Sequence, residues 1–136
     1  MSKVLAIDYG EKRTGLAETD DMQIIASGLA GIMTQDLIPF LEKYIKENSV
    51  EKIIVGLPVR LNGELSTVEN SIQKFIKKST ALFPEIPIER VDERFTSKMA
   101  AHSINLSGKS KKKRENKHLL DEVSATLILQ TYLEKK

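Results

Sequence analysis

Three apolar segments in the opening third of the chain have the pattern of short strands separated by turns. "KVLAIDYG" at 3–10 is an apolar run that ends at an aspartate and a glycine, as a buried strand does on entering a turn. "EKRTGLAETDD" follows and ends in two adjacent acids, and "MQIIASGLAGIM" at 22–33 can supply a third strand. Their succession predicts an antiparallel meander.

The middle of the chain alternates between helical and strand patterns. Apolar positions 37, 38, 41, 44 and 45 share one face and predict a helix over Gln35 to Glu47. "KIIVGLP" predicts a short buried strand, and "EIPIERVD" predicts another whose Pro87 marks its first residues or a sheet edge. Between them, Ser66 and Glu69 have the spacing of a capping box and open a helix with these apolar residues: Val68, Ile72, Phe75, Ile76 and Leu82.

Beyond these strands the pattern predicts a short helix from Thr96 or Ser97 to about Asn105, a basic loop over 107–117 and a closing helix from Leu119 to Glu134. Three strands followed by helix, strand, helix, strand and helix imply a mixed α/β sheet covered by helices. Ligand sites in such sheets gather at the carboxyl ends of the parallel strands. Asp8, the "VGLP" turn and the pair Asp92 and Glu93 all fall at predicted strand ends.

Length and composition fit one globular domain over residues 1–136, since 40% of the residues are hydrophobic. The absence of cysteine excludes disulfides and thiolate metal sites. The N-terminal apolar run is too short for a signal peptide or a membrane span, so we expect a cytoplasmic protein without membrane partners. The net charge of +2 is uneven, because "GKSKKKRENKH" at 108–118 is strongly basic.

Four acids lie at the edges of apolar segments: Asp8, Asp92, Glu93 and Asp121. Asp121 is predicted in the first turn of the last helix, on a stripe with Ala125, Ile128 and Tyr132, so its carboxylate should lean toward the sheet. Each acid also has a purely structural interpretation, as a turn residue, a helix-dipole partner or a surface ion pair. Converging carboxylates would repel one another by ~1 kcal/mol per pair at about 4 Å in water, and a bound cation relieves that repulsion.

Oxygen ligands from separate elements suit Mg²⁺ or Mn²⁺ better than zinc, and one or two such ions would support phosphodiester cleavage. Basic residues provide candidate phosphate contacts at Lys12, Arg13 and Arg94, while a mobile solvated loop is the alternative for "KSKKKR". In that basic segment the residues predicted to attract a nucleic-acid backbone are Lys109, Lys111, Lys112, Lys113 and Arg114.

Four ordered motifs together resemble a known family. "AIDYGEKRTGLA" (6–17), "VGLPVRLNGELS" (55–66), "VDERFTS" (91–97) and "LLDEVSATLILQTYL" (119–133) are similar in order and spacing to the YqgF/RuvX family of ribonuclease H-like proteins. Members are described as Holliday junction resolvases and as pre-16S rRNA nucleases. The resemblance implies a five-stranded mixed sheet whose first three strands are antiparallel, flanked by helices.

The same resemblance implies that Asp8, Glu93 and Asp121 are the catalytic, metal-binding acids, and that Lys12, Arg13, Arg94 and Thr96 orient phosphate or support the acids. Because successive strand residues face opposite sides, Asp92 is expected to brace the turn or pair with Arg90, Arg94 or Lys12. Glu122 stands where the family usually has a smaller residue. It could point to solvent or add a fourth carboxylate.

The function implied is a metal-dependent endonuclease that trims the 5' end of pre-16S rRNA during ribosome maturation, with structured nucleic acid and ribosomal particles as partners. A resolvase of four-way DNA junctions shares the chemistry but usually needs a dimer, and the sequence is compatible with a monomer or a weak homodimer. The remaining alternatives are a non-catalytic ribosome-assembly binder and half of an actin-like phosphate-binding ATPase.

Overall fold

A computed structural model describes residues 2–58, 67–92 and 117–135, the last range without the side chains of 117 and 118. The described chain forms five strands, a 3₁₀ turn and three α-helices. In order these are β1 (Lys3–Asp8), β2 (Arg13–Thr19), β3 (Ala26–Met33), the 3₁₀ turn (Thr34–Asp36), α1 (Leu37–Glu47), β4 (Val50–Leu57), α2 (Glu69–Leu82), β5 (Ile88–Asp92) and α3 (Lys117–Lys135).

The five strands form one mixed sheet in the order β3-β2-β1-β4-β5. β1 pairs antiparallel with β2, and β2 pairs antiparallel with β3. β4 is parallel to both β1 and β5. The predicted α/β architecture, with an antiparallel meander opening a five-stranded mixed sheet, is therefore confirmed. Pro87 directly precedes the edge strand β5, as its missing backbone donor requires.

Two apolar cores lie on opposite faces of this sheet. On one face, Leu5, Ile7 and Val55 pack with residues of α1 and α2. On the other face, Val4, Ala6 and Ile54 pack under α3. The alternation along β1 explains this division, because successive residues of a strand point to opposite sides. Within the described ranges, no helix is both long and apolar enough to cross a membrane.

The first helix begins two residues later than the pattern predicts, because Thr34–Asp36 forms a 3₁₀ turn ahead of it. Its predicted apolar face is confirmed. Leu37, Leu41 and Tyr44 are buried in the core, while Ile38 and Ile45 pack at its margin.

The predicted start of α2 is wrong, and Ser66 of the predicted capping box lies outside the described ranges. The N-cap residue is Val68, which makes no side-chain cap, and the helix begins at Glu69. The carboxylate of Glu69 instead turns inward and binds Arg90 on β5. Leu82 was also assigned wrongly to the buried side, since it is 45% exposed at the last turn.

The third strand is shorter than the apolar segment that predicted it. Residues 20–25 form a turn because Asp20 accepts hydrogen bonds from the backbone N–H groups of Met22, Ile24 and Ile25. These bonds, led by that from Ile25, hold the pKa of Asp20 below its ordinary value. The apolar side chains of the turn are consequently exposed, and pairing with β2 starts only at Ala26.

Candidate active site

Asp8 is the last residue of β1 and lies on the α3 side of the sheet. It shares the alternation of Val4 and Ala6, whose side chains pack under α3. Across the antiparallel ladder it stands directly opposite Gly15 of β2. The loop that connects these strands, Tyr9 to Lys12, therefore folds over the carboxyl end of β1.

Asp121 reaches the same region from α3. The predicted inward stripe of this helix is confirmed, because Ala125, Ile128 and Tyr132 are buried against the sheet. The predicted position of Asp121 in the first helical turn is wrong, since α3 begins at Lys117. Asp121 thus lies one turn before Ala125, within the body of the helix, where the backbone is held by hydrogen bonds on both sides.

Gly15 lets α3 come this close to the sheet. A Cβ atom at Gly15 would collide with the backbone carbonyl of Asp121, so only glycine fits here without moving the helix. The sequence pattern placed this glycine inside the second segment without indicating its role. Its signal was an isolated glycine inside a strand pattern, which marks a close approach of another backbone.

Arg13 and Asp121 form an ion pair across this contact. The Nε of Arg13 donates to Oδ2 of Asp121 at 3.0 Å. The side chains are 34% and 21% exposed, so solvent weakens the attraction between them without abolishing it. Arg13 therefore supplies positive charge beside a carboxylate while its guanidinium remains reachable from solvent.

A cavity of about 270 Å³ opens at this end of β1. It is called the strand-end cavity here, and its lining residues are Asp8, Gly10, Glu11, Lys12, Arg13 and Asp121. Four of the predicted site residues are brought together in it: Asp8, Lys12, Arg13 and Asp121. The lining combines three carboxylates, those of Asp8, Glu11 and Asp121, with the cations of Lys12 and Arg13, which suits the binding of a phosphate group that carries a metal ion.

The loop beside the cavity is anchored by Thr34. Its hydroxyl donates to the backbone carbonyl of Gly10 at 2.6 Å and lies 2.8 Å from the hydroxyl of buried Thr14. Its backbone N–H donates to the carbonyl of Lys12 at 2.9 Å. Thr34 thus holds two residues of the loop, a positioning role that the sequence pattern did not indicate.

The remaining predicted site residues lie outside the described ranges; these are Glu93, Arg94, Thr96, Lys109, Lys111, Lys112, Lys113 and Arg114. In the described part of the chain, no three His, Asp or Glu side chains gather closely enough to hold a metal ion. Asp8 and Asp121 are the two predicted metal ligands that line the cavity, and Glu11 is a third carboxylate in its described lining.

Asp92 and Glu122 are separated from these two acids. Asp92 alternates with Val91, which packs under α3, and so shares the opposite face with Arg90. Asp92 was expected to pair with Arg90, but the guanidinium of Arg90 binds the carboxylate of Glu69 in a bidentate manner. Glu122 packs over Gly28 on β3 rather than lining the strand-end cavity.

The ion pair between Glu69 and Arg90 braces the carboxyl ends of β4 and β5. The guanidinium donates at 2.9 and 2.8 Å to the carboxylate and at 3.0 Å to the carbonyl of Gly56. A further bond of 3.2 Å reaches the carbonyl of Val55. Hydrogen bonding by Arg90 holds the pKa of Glu69 below its ordinary value although the carboxylate is buried.

Comparison with known proteins gives consistent results over the full length. The family model RuvX, described as Holliday junction resolvase, matches residues 2–135. The chain is 54% identical over 133 residues to a protein of Christiangramia forsetii named "Putative pre-16S rRNA nuclease", with 98% of each chain covered. It is 50% identical over 136 residues to a Bacteroides fragilis protein of the same name, covering 100% of this chain and 99% of that protein.

Two solved structures share the fold at low sequence identity. RuvC of T. thermophilus, in complex with a Holliday junction substrate, gives a TM-score of 0.56 at 14% identity over 99% of this chain and 96% of that one. The Fowlpox virus resolvase, bound to Holliday junction DNA, gives a TM-score of 0.57 at 12% identity over 98% of this chain and 97% of that one. These likenesses concern the fold alone, and with the strand order they confirm the predicted ribonuclease H-like architecture.

Proposed function

The chain belongs to the RuvX family, and from that premise we propose that it is a metal-dependent endonuclease acting on the 5' end of pre-16S rRNA. The family description and the names of its relatives both denote nucleases, enzymes that hydrolyse phosphodiester bonds in nucleic acid. The observation that carries the proposal is the strand-end cavity, which Asp8 and Asp121 line together with Lys12 and Arg13.

The cavity residues suit a hard divalent cation. Asp8 and Asp121 offer only oxygen donors, which Mg²⁺ and Mn²⁺ prefer, and we propose Glu93 as the third ligand. One or two ions fit the proposal. When bound, such ions activate water and stabilise the charge on the leaving oxygen during in-line displacement at phosphorus.

The chain's own side chains have distinct parts in this mechanism. Arg13 is oriented through Nε by Asp121, which leaves its two terminal nitrogens to hold a non-bridging phosphate oxygen. Lys12 brings a second charge to the same cavity. We propose that Arg94, Thr96 and the basic residues of 109–114 extend phosphate contact along the substrate, as their charge and hydroxyl chemistry permit.

Pre-rRNA is the leading substrate because two relatives are named as pre-16S rRNA nucleases. Each is at least 50% identical to this chain over nearly the whole length of both proteins. Action on it implies a cytoplasmic protein that meets ribosomal particles, and both statements belong to the proposal. A junction resolvase is the second candidate, favoured by the family description. Contacts to phosphates do not separate these substrates, because both present the same backbone charge.

The test of the active site is cleavage of labelled pre-16S rRNA leader in Mg²⁺ or Mn²⁺. Asp8→Asn and Asp121→Asn should abolish cleavage while the far-UV circular dichroism and thermal midpoint stay near wild type. Asp36→Asn is the matched control, since Asp36 is an exposed carboxylate of the 3₁₀ turn outside the cavity. Full activity in folded Asp8→Asn protein would refute the assignment.

A second pair of variants tests the two adjacent acids. Glu93→Gln should stop cleavage, whereas Asp92→Asn should reduce it less, because Asp92 is on the sheet face away from Asp8. Equal loss in both variants would contradict the proposed ligand set.

A third assay offers a four-way DNA junction beside the rRNA leader. Specific cuts in the leader and none in the junction would support the rRNA substrate. Paired symmetric cuts in the junction, made by a protein that dimerises on it, would favour the resolvase.

A further inference from the structure

We propose that the groove between α1 and α2 holds a single-stranded segment of the nucleic-acid substrate that continues past the strand-end cavity. The inference rests on the proposed nuclease function and adds to it a binding surface on the opposite face of the sheet. The groove has a volume of about 600 Å³ and opens to solvent. The residues that matter in its lining are Tyr9, Thr34, Glu42, Lys74, Phe75 and Lys78.

The groove combines an aromatic surface with positive charge. Tyr9 packs against Phe75 with ring centroids 5.5 Å apart, and Phe75 is itself held in the core, so the tyrosine ring has a firm support. Lys74 and Lys78 are exposed and lie one helical turn apart on α2. Stacking aromatics beside a basic track are the features by which proteins hold single strands without reading their sequence.

The charge on α2 favours an anionic partner over a neutral or basic surface, and the proposed nuclease function makes that partner a phosphate backbone. After Glu69, whose charge is compensated by Arg90, the helix carries Lys74, Lys77 and Lys78 and no further acid. Among the ion pairs formed within the described ranges, none involves Lys74 or Lys78. Glu42 of α1 is the acid in the groove lining, and two lysines outweigh it.

The loop between β1 and β2 contributes residues to both the groove and the strand-end cavity. Tyr9 lines the groove, and the next residue, Gly10, lines the cavity. Thr34 of the groove donates to the carbonyl of Gly10 at 2.6 Å, which fixes the boundary between the two. A strand whose phosphate contacts Arg13 can therefore pass over this loop and present its next bases to Tyr9.

This arrangement favours substrates with an unpaired segment. A base can stack on Tyr9 only when it has left its helix, and single-stranded ends and loops provide such bases. A junction whose arms are fully paired provides none next to its backbone contacts. The groove would thus select a strand adjoining a duplex, whether that strand is RNA or DNA.

The test is a binding measurement with EDTA present, so that no cleavage is required. A short duplex is compared with the same duplex carrying a single-stranded flank, made once of RNA and once of DNA. For wild type, either flank should tighten binding at least tenfold. Lys74→Gln/Lys78→Gln should remove that gain and lower the slope of log K against log salt by about 1.4, or about 0.7 for each phosphate contact to a single strand.

Matched variants separate the groove from general charge. Lys43→Gln/Lys46→Gln removes the same charge from α1 at positions outside the groove and should leave the flank effect unchanged. Tyr9→Phe should keep the flank effect, whereas Tyr9→Ala should lose roughly tenfold in affinity for the flanked duplex. The proposed role of the groove would be refuted if both lysine pairs lost affinity equally, or if affinity fell equally with and without the flank.

The outcome is independent of the cleavage assay. Flank-dependent binding without any cleavage would leave the groove supported and the nuclease proposal refuted. If the leader is cleaved but Lys74→Gln/Lys78→Gln does not change binding of the flank, only the proposed role of the groove is refuted.

Discussion

The Nε of Arg13 lies 3.0 Å from Oδ2 of Asp121, although 108 positions of sequence separate the two residues. The pair joins the start of β2 to α3 and borders the strand-end cavity. The pair places the cation of Arg13 beside Asp121, one of the proposed metal-binding carboxylates. Removal of the Arg13 side chain should therefore change catalysis more than it changes stability.

Replacement of Arg13 by glutamine should lower the free energy of unfolding by less than about 1 kcal/mol, because the pair is partly exposed. Cleavage should fall by roughly ten- to a hundredfold, the equivalent of one charge-assisted hydrogen bond to the phosphate. Urea unfolding and steady-state cleavage measure the two effects. Arg13→Lys should recover part of the activity, since it restores charge without the planar fork. Wild-type kinetics in both variants would exclude a phosphate contact.

Two glycine substitutions should differ although both introduce a Cβ atom near α3. At Gly15 the new methyl group meets the backbone carbonyl of Asp121, which moves only if the helix moves. Gly15→Ala should therefore cost about 1–3 kcal/mol of stability and reduce cleavage by displacing Asp121. At Gly28 the methyl group meets the side chain of Glu122, which can rotate away. Gly28→Ala should change stability by less than about 0.5 kcal/mol.

Thermal or denaturant unfolding with a cleavage assay on each glycine variant checks this contrast. Equal effects at Gly15 and Gly28 would mean that close approach of the α3 backbone does not position the carboxylate.

Loss of the Thr34 hydroxyl should loosen the loop beside the cavity. Thr34→Val removes the donor to the Gly10 carbonyl and the partner of the Thr14 hydroxyl, at a cost of about 1–3 kcal/mol. Amide hydrogen exchange at Gly10, Glu11 and Lys12 should become faster than global unfolding accounts for. Thr34→Ser keeps the hydroxyl and should behave like wild type. Unchanged exchange in the valine variant would show that other contacts hold the loop.

The pair Glu69 and Arg90 should give the protein an acid-sensitive contribution to stability. Arg90 holds the pKa of Glu69 below its ordinary value of 4.5. As pH falls, the unfolded chain therefore takes up this proton before the folded chain does. The contribution is fully present above about pH 4.5 and disappears as the pH falls through the lowered folded-state value.

Glu69→Gln should accordingly lower the free energy of unfolding by about 1.5–3 kcal/mol at neutral pH, since Arg90 then lacks its charged partner. The difference from wild type should be constant above about pH 4.5, the ordinary pKa of the group, and should shrink as the pH falls below it. Urea titrations at several pH values measure it. Glu69→Leu/Arg90→Met, which replaces both charges by apolar groups, should recover much of the loss. A difference that stays constant with pH would contradict the role of this ion pair.

The sequence by itself determined the strands and helices of the described ranges and their order, while the predicted short helix from Thr96 or Ser97 to about Asn105 lies outside those ranges. Apolar runs of four to seven residues, ended by glycine, proline or acid, are read locally, and the sheet follows from how such runs pack. It also singled out Asp8 and Asp121, because an acid at the end of a buried segment is visible without knowing its neighbours. The stripe of Ala125, Ile128 and Tyr132 gave the inward face of the last helix for the same reason.

Only the tertiary structure decided which polar groups meet. Glu69 had the spacing of a local cap, yet it binds Arg90, because an inward carboxylate needs a cation and β5 brings one to it. The importance of Gly15 depends on a helix more than 100 residues away along the chain, which no local pattern contains. Likewise, Tyr9 and Lys74 share a groove because of how α2 packs beside the β1–β2 loop. Periodicity depends on neighbouring residues, whereas a binding surface depends on the packing of distant ones.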